Sequence, residues 1–176
     1  MKQIGENYHK YNIKYIKRTK KVVYSVIIGK YDKISSFKKQ KGYSYFLFAD
    51  QKYKNTNWTI ISISKFIKKK KISKIKMTRY FKLFPHLFFK DYDLSIYIDA
   101  SFSIKGNLDE LLLRTLNPSF DLYFLQHPNR KKIFQEFSAV LSSKREIKEI
   151  VNIVKKRYIK ENFPDSQGLT ENCIIS

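Results

Sequence analysis

The chain is poor in the residues that usually constrain a small protein. It has one cysteine, four prolines and five glycines in 176 residues. A single thiol, Cys173, excludes a disulfide framework and any cysteine-clustered metal site. No apolar run approaches the roughly 18–20 residues that span a bilayer. The lysine- and tyrosine-rich stretch from Met1 to Lys21 lacks the apolar core of a signal peptide. The expected location is therefore cytoplasmic, with peripheral contact at a membrane if surface charge holds the protein there.

Acidic residues are also scarce, with 15 Asp and Glu against 36 Lys and Arg, a formal charge of +21. Such a charge attracts any polyanion, whether nucleic acid, anionic lipid or a phosphorylated ligand. Only six of the basic residues are arginine, however, and only three residues are alanine. Lys, Ile, Asn, Tyr and Phe abound while Ala, Gly, Pro and Arg are rare. An AT-rich coding sequence gives that bias, so part of the charge is background. Nucleic-acid readers favour arginine for its planar fork, and no nucleic-acid module is recognisable. No specific nucleic-acid partner is expected.

What is present is apolar and aromatic: 43% hydrophobic residues, 16% Phe, Trp and Tyr. That suffices for one buried core. The expectation is a basic leader over 1–20 and a single domain over 21–176. Apolar, β-branched runs predict strands at Val22–Ile28, Tyr43–Ala49, Trp58–Ile63, Ser95–Ile98 and Asp121–Gln126. Helical spacing predicts helices at Ile75–Phe89, broken near Pro85, at Leu108–Leu116 and over most of Lys131–Lys160. The block Lys68–Lys71 reads as a solvated charge run, and Phe163–Gly168 as a loop. Alternating strands and helices imply a mainly parallel α/β sheet.

The segment from Ser95 to Asp99 carries the sharpest chemical signal. A short buried strand ends on a carboxylate, then on small Ala100 and Ser101, then on a turn into a helix. In open α/β sheets ligands bind at the C-terminal strand edges. The first strand ends at Gly29-Lys30-Tyr31-Asp32, where glycine allows close approach and Tyr31 could stack on a base. The second ends on Asp50, which could accept from a ribose hydroxyl or simply cap a turn. Arg79 and Lys82 on the preceding helix could reach phosphate oxygens or pair with Asp99. His127 and Arg130 follow the fifth strand and could serve a phosphate. Glu136 and Glu171 are further carboxylates able to act as a general base.

The order of these motifs resembles a glycosyltransferase-like family. It includes plant mucilage- and pollen-associated proteins and bacterial relatives, and was long described as a domain of unknown function. The resemblance runs through Val22–Asp32, Phe46–Asp50 with Trp58, Arg79–Lys82 with Pro85-His86, and Ser95–Asp99. It continues through Gln126-His127-Pro128 with Arg130 and Glu136, then Phe163-Pro164 to Gly168-Leu169 and Glu171-Asn172. Arg79 to Leu111 is also similar in layout to family 8 glycosyltransferases. The resemblance implies a GT-A-like fold and transfer of a sugar from a nucleotide sugar to a glycan or glycolipid acceptor. It implies Asp99 as a metal and catalytic residue, with His127 as a further metal ligand for Mn2+ or Mg2+. The usual Asp-x-Asp is here Asp-x-Ser, with Ser101 in place of the second acid. A cationic site that needs no metal is the chemical alternative. Relatives continue past the position where this chain stops, so a C-terminally short domain is expected. The competing readings are a catalytically weak accessory protein at a membrane surface and a non-enzymatic polyanion binder.

Overall fold

The structure, a computed structural model, describes residues 12–29, 33–54, 56–64, 66, 73–117, 119–143, 146–165 and 168–175. It divides into two compact units. One runs to Tyr123 and takes in the chain from Cys173 onward; the other is Phe124–Asn172.

The first unit is built on four parallel strands. These are β1 (Lys21–Ile27), β2 (Tyr43–Ala49), β3 (Thr59–Ser62) and β4 (Leu94–Ile98), in spatial order β3-β2-β1-β4. Every residue of β1 is buried, which explains its unbroken apolar reading. A central parallel strand is covered on both faces and shows no alternation. Lys21 aligns with Tyr43 on one side and Leu94 on the other, so β1, β2 and β4 start level. The architecture is the mainly parallel α/β arrangement expected, consistent with a GT-A-like fold.

The two faces of the sheet pack differently. On one, Val23, Ile27, Leu47, Ile96 and Ile98 meet Ile16, Trp58, Leu108 and Leu112. Ile16 belongs to helix α1 (12–18), which stands within the stretch read as a basic leader. Leu108 and Leu112 belong to α3 (Leu108–Thr115). The other face is an aromatic layer. The Phe48 and Phe81 rings stack at 4.6 Å, and Tyr24 meets Tyr97 and Phe89 at 5.3 Å each. Phe81 comes from α2 (Lys74–Leu83).

Local chemistry sets the helix ends. The Ser73 hydroxyl accepts from the Lys76 N–H at 3.3 Å and caps α2, which stops before Pro85 opens a 3-10 turn. Asn107 caps α3 by accepting from the Asp109 N–H at 2.8 Å. The Gln40 side chain accepts from the Leu108 N–H at 3.0 Å and donates to the Gly106 carbonyl at 2.7 Å.

The second unit holds β5 (Phe124–Gln126), α4 (Ile133–Ser142) and α5 (Lys148–Lys160). Tyr158 on α5 meets Phe137 on α4 edge to face at 5.7 Å. Strand β6 (Thr170–Ile175) was not anticipated, and Glu171, read as a loop residue, lies in it. Its polar start, Thr-Glu-Asn, shows no strand period. Its end pairs antiparallel with β4, Ile175 opposite Tyr97 and Ile174 opposite Ile98.

Candidate functional site

The strand order fixes where a ligand can enter. The chain builds β1, then β2 and β3 outward on one side, then returns to place β4 on the other side of β1. The C-terminal ends of β1 and β4 lie side by side where the strand order reverses, a topological switch point. Gly29 stands just past β1 and Asp99 just past β4. The segment after β1 crosses to the β4 side. The Ser35 N–H donates to the Ala100 carbonyl at 2.9 Å, and the Ser35 hydroxyl donates to the Ser101 carbonyl at 2.6 Å. The Ser103 hydroxyl reaches the Ser36 carbonyl at 2.8 Å.

On the β1–β2 side, both Asp50 carboxylate oxygens accept from the Gly29 N–H at 3.1 Å. The Gln51 amide donates to the Gly29 carbonyl at 3.2 Å and to the Tyr53 hydroxyl at 2.7 Å. Gly29 has φ 97°, a left-handed conformation that a side chain would strain. Asp50 thus holds the glycine turn, the role a turn-capping aspartate plays. Gln51 and Tyr53 were missed in the sequence, although two polar residues immediately past Asp50 were the available signal. Lys30, Tyr31 and Asp32 lie outside the described residues, as does the Lys68–Lys71 block.

On the β4 side, Asp99 is engaged. Lys82 Nζ lies 3.3 Å from its Oδ1, and the Tyr97 hydroxyl donates to the same oxygen. The ammonium also sits 4.3 Å from the centre of the Tyr97 ring, a cation–π distance. Lys82 is only 14% exposed in its side chain, Asp99 38%. The Lys82 carbonyl accepts from the Tyr24 hydroxyl at 2.6 Å, which ties the end of α2 to β1. Ser101 is exposed in the turn after Asp99, and Arg79 is exposed on α2.

A cleft of about 640 Å³ opens beside the first half of β4, lined among others by Tyr24, Lys82, His86, Tyr92, Asp93 and Ser95. It is not at the C-terminal strand edge where Gly29 and Asp99 stand. Lys82 is the residue that both lines the cleft and pairs with Asp99.

The second unit has its own polar cluster. His127 Nδ1 accepts from the backbone N–H groups of Asn129 and Arg130 at 3.1 and 3.0 Å. Arg130 Nη2 lies 2.7 Å from His127 Nε2, and its Nε donates to Glu136. The expected residues thus fall into three groups: Gly29 with Asp50, Lys82 with Asp99, and His127 with Arg130 and Glu136.

These contacts bear on a divalent ion. Such an ion needs several hard oxygen donors with uncompensated charge. Asp99 already faces an ammonium, and Ser101 adds only a neutral hydroxyl. Both His127 nitrogens have close neighbours, one of them a guanidinium. No three His, Cys, Asp or Glu side chains converge among the described residues. The described donor set does not fit a divalent ion. Comparison with family models, with curated proteins and with solved structures finds no match for this chain.

Proposed function

We propose that the chain is a glycosyltransferase that binds a nucleotide sugar at the switch point between β1 and β4. The observation that carries this reading is the placement of Gly29 and Asp99 just past the C-terminal ends of these adjacent parallel strands. Such crevices bind nucleotides because backbone and side-chain groups from two loops can reach one ligand. The motif order that resembles the mucilage- and pollen-type glycosyltransferase-like family supports the same reading.

Each residue then has a role. Gly29 lets the backbone approach the nucleoside, with Asp50 holding the turn. Lys82 supplies the positive charge that the pyrophosphate leaving group requires, the electrostatic work a metal does elsewhere. Asp99 Oδ1 orients Lys82. Its Oδ2, which takes no hydrogen bond from the described residues, accepts from a sugar hydroxyl. In the transfer, the acceptor hydroxyl oxygen bonds to the anomeric carbon as the bond from that carbon to the diphosphate breaks. The nucleoside diphosphate departs with the electron pair, and a carboxylate takes the acceptor proton. Calorimetric titration with UDP and GDP sugars, with and without Mn2+, tests the reading. Saturable one-site binding supports it, and no binding by any nucleotide sugar sinks it.

A further inference from the structure

Helix α5 (Lys148–Lys160) presents two unlike faces. Val151 is buried, and Tyr158 packs against α4. Alongside that buried face, Ile147, Ile150, Ile153 and Val154 are exposed, at 61, 44, 67 and 36%. Ile150, Ile153 and Val154 are three and four residues apart, so they share one stripe of the helix, and Ile147 extends it at the N-cap. Arg157 lies within that stripe, Lys156 and Lys160 border it on one side, and the helix carries five basic residues against one acid, Glu149.

We propose that this outer face of α5 docks on an anionic lipid surface. The charge argues for that occupant. A second copy of the chain would bring another +21 to the contact, so self-association opposes itself electrostatically. A protein partner is favoured by aromatic anchors and disfavoured by lysine, whereas this face has aliphatic residues with Lys156 and Lys160 along one side. An aliphatic stripe bordered by lysines is what an interfacial helix uses: the apolar side enters the acyl boundary while the ammonium groups reach anionic headgroups. The inference goes beyond the transferase reading and stands without it.

The test is sedimentation of the full chain with phosphatidylcholine vesicles and with vesicles containing phosphatidylserine. Binding is expected only with phosphatidylserine, weakening about fivefold for each of Lys156→Ala and Lys160→Ala. The double variant Ile150→Ser with Ile153→Ser should lose about tenfold or more. Both positions are exposed, so circular dichroism should show unchanged helix content. No binding to phosphatidylserine vesicles overturns the proposal. So does binding that the double variant retains, because net charge alone would then hold the protein. Concentration-dependent dimerisation abolished by the double variant, without vesicle binding, assigns the face to a second copy and also overturns it.

Discussion

Lys82 Nζ lies 3.3 Å from Asp99 Oδ1 and 4.3 Å from the centre of the Tyr97 ring. One cation is therefore held between a carboxylate and a π face, at the end of the strand that bounds the switch point. The pair is neutral overall, so the ammonium can serve a phosphate only while shared with Asp99.

If that charge meets the donor pyrophosphate, Lys82→Met should weaken nucleoside diphosphate binding by about tenfold or more, since charge-assisted hydrogen bonds contribute roughly 1.5–3 kcal/mol. Arg79→Ala, exposed on α2, should change it by less than about threefold. Equal losses from both variants would mean that only bulk charge matters.

Metal dependence separates the two chemistries. Chelation with EDTA should leave the affinity of the wild-type chain within about twofold. Ser101→Asp introduces a second acid near Asp99 and should bring Mn2+-dependent tightening of about tenfold, near 1.4 kcal/mol. A wild-type chain that binds nucleotide only with Mn2+ would contradict the lysine-based site.

Gly29 has φ 97° and is fastened to Asp50. Gly29→Ala should cost about 1–2 kcal/mol in urea unfolding and weaken nucleotide binding. Gly106→Ala is the control, because a Cβ there meets nothing within 4 Å and φ is ordinary. Equal stability losses at both glycines would remove the argument for a strained turn.

Burial pushes the Tyr24 hydroxyl well above its usual range, and burial does the same for Tyr43, aided by the neighbouring Asp109. A raised folded pKa means that the unfolded chain releases its protons first as the solution turns alkaline. Above about pH 10 the unfolded state binds fewer protons, so stability falls with rising pH. Thermal unfolding of Tyr24→Phe should show a shallower alkaline decline than the wild type. Parallel declines would show that Tyr24 does not contribute.

The sequence made the parallel sheet legible because β1 and β2 are unbroken apolar runs with turn residues at their ends. The position of Asp99 just past the end of β4 was legible for the same reason. The Asp50–Gly29 bond was not, because it joins residues 21 apart whose proximity follows only from the pairing of β1 with β2. The Lys82–Asp99 pair appeared only as one of two options for Lys82. What decides it is the Tyr97 ring, whose side is set by strand parity. Strand β6 escaped because two-residue pairing with β4 leaves almost no period. Helix α1 escaped because its lysines hide a single inward stripe at Asn12 and Ile16.

The central claim is a nucleotide-sugar site at the switch point with Lys82 and Asp99 in it. Its most direct test is calorimetric titration of the wild type and Asp99→Asn with UDP and GDP sugars in EDTA. The expected result is one-site binding by the wild type and a loss of about tenfold or more in Asp99→Asn, with unchanged thermal unfolding of the free protein to about 2 °C. Wild-type affinity in Asp99→Asn, or no binding by either chain, would contradict it.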